Sequence, residues 1–98
     1  MRGVNLFRLQ ALIVQSGPLR FTPAGLPALD LLLEHQSNQL EAGVHRQCLL
    51  RLKAIAFGTI AEQLATQALG GRWMFEGFLS SPRSLKGVTF HIQKFRQD

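Results

Sequence analysis

From Phe7 the chain alternates with a period of two, Phe7, Leu9, Ala11 and Ile13 on one side against Arg8, Gln10 and Leu12 on the other. That is the pattern of a strand half buried against a core, and it predicts the first strand of the fold. Ser16, Gly17 and Pro18, then Thr22, Pro23, Ala24 and Gly25, interrupt the alternation with turn formers, leaving Arg20 and Phe21 on the loop between. Leu26 to His35 predicts a second strand. Its Leu31, Leu32, Leu33 run has no polar side, which suggests apolar contact on both faces and marks these leucines as a candidate subunit interface.

Ser37 to Gly43 is polar, closes on Glu41, Ala42 and Gly43, and reads as a hairpin-type connection to a third strand starting near His45. In that strand Cys48, Leu50, Leu52 and Ala54 share one face. Gln47, Leu49, Arg51 and Lys53 share the other, a solvent-facing strip of two cations beside an aliphatic side chain. Gly58 ends the strand. Thr59 with Glu62 three residues on has capping-box spacing and predicts a short helix with Ile60 and Leu64 on one face, stopped at Gly70 and Gly71. A fourth strand follows, Trp73, Phe75, Gly77 and Leu79 against Arg72, Met74, Glu76 and Phe78. Ser80 to Gly87 is a turn-rich loop carrying Arg83 and Lys86, and a fifth strand runs through Val88, Phe90 and Ile92 towards Phe95. Three strands, a short helix and two more strands is the element order of the five-stranded Greek-key OB-fold barrel, all-β with one short helix. Small SH3-like barrels share much of that order.

A length of 98 residues, 46% of them hydrophobic, supplies the core of one domain spanning residues 1–98 and is too short for two. Eleven Lys and Arg against six Asp and Glu give a formal charge of +5, which favours a polyanionic partner, nucleic acid ahead of an anionic membrane surface. The single cysteine, Cys48, has no partner for an internal disulfide, and Met1 to Arg8 lacks the pattern of a secretory signal. The expected compartment is the reducing cytoplasm. Asp30 already interrupts the apolar stretch Leu29 to Leu33, so no segment has the length of a bilayer span and no membrane contact is expected.

His35, His45 and His91 lack the short spacings of a metal site, and Cys48 stands alone on an inward face without an adjacent base. With no plausible carboxylate pairing and no glycine-rich phosphate loop, the expectation is no metal, no cofactor and no enzyme activity. Binding chemistry is better represented. Arg20, Arg51, Lys53, Arg83 and Lys86 suit phosphates, because cations that release condensed counterions supply most sequence-independent affinity. The bland alternative is a solvated surface; Arg51 and Lys53 flanking Leu49, on the face OB proteins use for ligands, favour the functional reading. Trp73 shares its side with Phe75, Gly77 and Leu79 and is assigned to the core. Phe78 points the other way and is the stacking candidate, with Phe21 a second candidate or a lid over the barrel end.

The segment Leu33 to Gln47, LEHQSNQLEAGVHRQ, resembles the LEHxSxQxEAGxHRQ stretch of the PriB family, primosomal replication protein N. Pro18, Leu19 and Arg20 with Thr22 to Pro27 are similar to that family's PLR and SPSGIP segments, Glu76 to Ser80 to its QGFIS segment, and His91 to the histidine of its last strand. The likeness covers essentially the whole chain. It implies an OB-fold homodimer that binds single-stranded DNA, engages the primosomal DNA helicase and other primosome proteins, and helps reload the replication machinery at stalled forks. Two positions that in the best-known members carry DNA-contacting aromatics are here Val44 and Leu49, and Arg46 lies within the same motif. Base stacking on an aromatic contributes about 1–3 kcal/mol per base, so its loss argues for weaker or more salt-dependent binding. Arg83 and Lys86 stand in a shorter loop in place of a lysine-richer segment, and Ala11 where glycine is usual.

Two other readings stay open. A general single-stranded DNA-binding protein is disfavoured by the chain's end at Gln97 and Asp98, directly after the last strand and without an acidic-tipped tail. A protein adaptor, acting mainly through the helicase with incidental DNA affinity, is favoured by the lost aromatics.

Overall fold

The alternation that opens at Phe7 becomes β1 (Phe7–Ser16), the first element of a computed structural model that describes residues 2–98. It is followed by β2 (Arg20–Phe21), β3 (Pro27–Glu41), β4 (Val44–Phe57), α1 (Thr59–Ala65), β5 (Arg72–Ser80) and β6 (Thr89–Gln97). β1 serves two partners. Its first half, Phe7 to Leu12, pairs antiparallel with β5, and Leu12 to Ser16 pairs antiparallel with β3 across an irregularity between Ile13 and Gln15. β3 continues to β4, β4 runs parallel to β6, and β6 returns antiparallel to β5. The circuit closes a five-stranded barrel with the expected OB topology, and β2 is a short addition paired to the start of β3.

Inward positions of every long strand fill this barrel: Leu9, Ala11 and Ile13 of β1, Leu29, Leu31 and Leu33 of β3, Ala54 and Ala56 of β4, with Phe75, Phe90 and Ile92. Ala61 and Leu64 add α1 to the same core. Trp73 packs against it as the alternation requires, edge-on to Phe95 at 5.1 Å. On β5, a Cβ at Gly77 would collide with the carbonyl oxygen of His91, so only glycine permits the close approach of β5 to β6 beside the bulge at Glu76/Gly77.

Several expectations are corrected. Leu31 and Leu33 are 5% and 0% exposed and lie inside the barrel, so they cannot form a subunit interface; of the three leucines only Leu32 faces outward, half-buried. Ser37 to Glu41 is strand and not connection, because β3 and β4 pair without a break from Ala28↔Phe57 to Glu41↔Val44. The turn is Ala42 and Gly43 alone, both at positive φ (52° and 78°), as a two-residue type I′ hairpin requires. Residues 38–47 are all exposed, which is why their sequence carries no apolar face. Thr59 is the first helical residue and Gly58 the cap, so no capping-box hydrogen bond forms. The helix ends at Ala65, and Gly70 and Gly71 instead exchange backbone hydrogen bonds with Ile13 at 2.8 and 3.2 Å.

Placement of the leucines is testable by urea denaturation. Leu33→Ala should cost about 2–5 kcal/mol, the range for emptying a core leucine site. Leu32→Ala should cost well under half as much.

Candidate nucleic-acid interface

The uninterrupted register decides which side chains share the outer face of the β3–β4 hairpin. Its outward rows place Asp30 opposite Ile55, Leu32 opposite Lys53, Glu34 opposite Arg51 and Gln36 opposite Leu49. Leu49 is 68% exposed and Arg51 and Lys53 are exposed too, so the predicted strand phase holds. Arg51 donates from Nε to Glu34 Oε2 at 2.9 Å. Arg20, on β2, donates to both carboxylate oxygens of Asp30, at 3.0 and 3.3 Å, and that hydrogen bond and charge raise its pKa further above the usual arginine value.

Val44 and Arg46 do not join this strip. Glu41↔Val44 and Gln39↔Arg46 continue the row that begins in the core at Leu33↔Leu52, which puts them on the opposite face of the exposed arm. There Arg46 pairs with Glu41 at 2.8 Å.

The other end of the outward β4 row leads into an aromatic surface. Phe78 lies opposite His91, their rings stacked with centroids 4.7 Å apart and planes 12° from parallel. Phe57 stacks on the same imidazole at 6.1 Å and 30°. Leu49, Arg51, Lys53, Ile55 and Phe57 therefore form one outward line that ends in a row of three rings. Neither Phe57 nor His91 was picked out from the sequence as a contact residue. Extending the Leu49, Arg51, Lys53 alternation by two steps would have reached Phe57.

Arg83 and Lys86 lie on the connection between β5 and β6, which starts just beyond the Ser80↔Thr89 pair and so adjoins the rings. Among the described residues Arg8, Arg20, Arg46, Arg51 and Lys94 have carboxylate partners, whereas Lys53, Arg83 and Lys86 have none. Ion pairs open to solvent are screened and contribute little net stability, so Arg20 and Arg51 can change partners at small cost. Phe21 is 63% exposed on the outermost strand of the sheet, open to solvent and not a lid packed on the core. No grouping of three or more metal-ligating side chains occurs among the described residues, and no helix there is long and apolar enough to cross a membrane.

A model described as "another single-strand binding protein family" matches residues 5–94. The chain is 43% identical over 96 residues to a replication restart protein PriB of Bordetella pertussis, covering 96% of this chain and 89% of the relative. It belongs to the PriB family. A second PriB, of Neisseria gonorrhoeae, is 45% identical over 101 aligned positions, covering 99% of this chain and 97% of that protein. The solved PriB structure from Ralstonia solanacearum superimposes with a TM-score of 0.89 at 32% identity, over 97% of this chain and 98% of the other. The single-stranded DNA-binding domain of a Synechococcus protein, at TM-score 0.77 and 19% identity, covers 99% of both chains and shares the barrel.

Desolvation lowers the pKa of His91 below the usual histidine value. The unfolded chain then takes up this proton near pH 6.5 while the folded chain resists until lower pH, so stability declines as pH falls through that window. Urea midpoints at pH 7.5 and pH 5 should show the decline, and His91→Gln should lack this part of it.

Proposed function

We propose that this PriB-family chain binds single-stranded DNA as a non-enzymatic, cytoplasmic accessory factor of replication restart. The observation that carries the reading is the outward β4 line, in which Arg51 and Lys53 stand between exposed Leu49 and the Phe57, His91, Phe78 rings. Cations suit the backbone phosphates, and rings offer stacking surfaces that every unpaired base can use. Arg83 and Lys86 extend the path past the rings, and Arg20 and Phe21 border it at β2. A duplex gains little here, because its bases are already stacked on each other. The relatives' name, replication restart protein, supports the wider role, with the primosomal DNA helicase and other primosome proteins as partners in reloading the replication machinery.

A homodimer belongs to the same proposal. From Phe7 to Ala11, β1 has β5 on one side and no paired strand on the other among the described residues, and such an edge can accept a second copy. Gln10 shows the direction of that edge, since its carbonyl accepts from His35 Nδ1 at 2.6 Å. The adaptor reading draws on a different feature, the exposed Leu40 and Val44 at the arm's end, which offer apolar contact to a protein and nothing to a phosphate.

Fluorescence titration with short oligonucleotides tests the DNA reading. Arg51→Ala with Lys53→Ala should weaken binding and flatten its salt dependence. Leu49→Trp should tighten binding by about one stacking contribution, on the order of 1 kcal/mol, and its indole should be quenched while Trp73 responds little. A folded Leu49→Trp protein showing neither effect, but retaining helicase affinity, would put the adaptor reading first.

Light scattering at tens of micromolar tests the dimer. The intact chain should scatter as a dimer. Arg8→Pro, which removes an edge donor two residues from Gln10, should shift it towards monomer.

A further inference from the structure

The outer face of the hairpin is less basic than the chain as a whole, because its carboxylates sit among the cations. Glu34 is directly opposite Arg51 and ion-paired to it at 2.9 Å, and Asp30 holds Arg20 through both carboxylate oxygens. Lys53, opposite Leu32, lies diagonally between these two acids. On the outward face Asp30 and Glu34 are two positions before and after Leu32 on β3, so both flank the lysine at the spacing of one strand repeat.

We propose that Asp30 and Glu34 are affinity-limiting residues, intramolecular stand-ins for phosphate that occupy Arg20 and Arg51 and hasten release of a bound strand. This rests on the reading that single-stranded DNA lies over the β3–β4 face. A carboxylate presents a planar pair of acceptor oxygens that matches the guanidinium fork as a phosphate does. A phosphate arriving at Arg51 must displace Glu34 and then remain beside the displaced negative charge. The same holds for Arg20 and Asp30. The protein thus carries its own competitor at fixed, high local concentration, which DNA in dilute solution does not match. Because the pairs are exposed, the exchange is fast and reversible, and the face exchanges strands readily. Composition does not reveal this, since the net charge of +5 is the same wherever the six acids lie.

Glu41 supplies a matched control, an acid also paired to an arginine, Arg46, but on the opposite face of the arm. Glu34→Gln, Asp30→Asn and Glu41→Gln each remove one negative charge. With a labelled oligothymidylate at low salt, Glu34→Gln and Asp30→Asn should each tighten binding about threefold, the size of one like-charge repulsion across several ångströms of water. A competitor chase should show the gain as slower dissociation, and it should fade at high salt as screening grows. Glu41→Gln should leave affinity nearly unchanged. If Glu34→Gln and Asp30→Asn do nothing, or no more than Glu41→Gln, while Arg51→Ala with Lys53→Ala still weakens binding, the proposal is overturned and the strand path stands. If the Arg51 and Lys53 double variant binds like the parent, the path and the proposal fall together. Circular dichroism of each variant excludes misfolding as the cause.

Discussion

The long pairing of β3 with β4 is the constraint on which the rest of this molecule depends. Fourteen consecutive residue pairs, from Ala28↔Phe57 to Glu41↔Val44, run without a bulge, so one register governs both the barrel wall and the arm beyond it. In the wall it sends Leu31, Leu33, Leu52 and Ala54 inward. On the reverse it aligns Asp30, Glu34, Arg51 and Lys53 in neighbouring rows. A slip of one residue would exchange the two sets, burying the charges and exposing the leucines, and the core forbids it. The electrostatics of the outer face are thus fixed by the packing of the inner one.

How much of this was legible in the sequence depends on whether one face of each strand met the core. Where it did, as in Phe7 to Ile13, Gln47 to Ala54 and Trp73 to Leu79, the alternation gave element, phase and inward residues together. Ser37 to Glu41 was misread because both its faces meet water, and a strand of that kind has the composition of a loop. Leu31 to Leu33 was misread for the opposite reason: an outward leucine between two inward ones imitates burial on both sides. The binding strip of Leu49, Arg51 and Lys53 followed from alternation, but Phe57 and His91 did not. Their partnership joins β4, β5 and β6 and exists only once the parallel β4–β6 and antiparallel β5–β6 registers are combined. Val44 and Leu49 lie close together in the chain, but five positions apart on one strand they face opposite ways.

Net charge was a similarly partial guide. The excess of Lys and Arg pointed to a polyanion, yet Arg20, Arg46 and Arg51 are each committed to an acid of their own chain. The cations free of such commitments on the candidate surface, Lys53, Arg83 and Lys86, stand along and beyond the β4 line, and their arrangement shapes the local field more than the sum does.

The bulge between Glu76 and Gly77 has a different kind of consequence, a change of phase in how β6 alternates. Before it, Phe90 and Ile92 point into the barrel and His91 points out; after it, Phe95 meets Trp73 while Lys94 and Arg96 are exposed. One strand thereby lends an imidazole to the outer ring row at its start and a phenyl ring to the interior at its end. Gln93, the residue that absorbs the change, is what keeps the two halves out of phase. Straightening β6 with Gln93 kept in the pairing would turn its last third inside out, driving Lys94 and Arg96 towards the barrel and Phe95 into water, although no residue of the chain had changed.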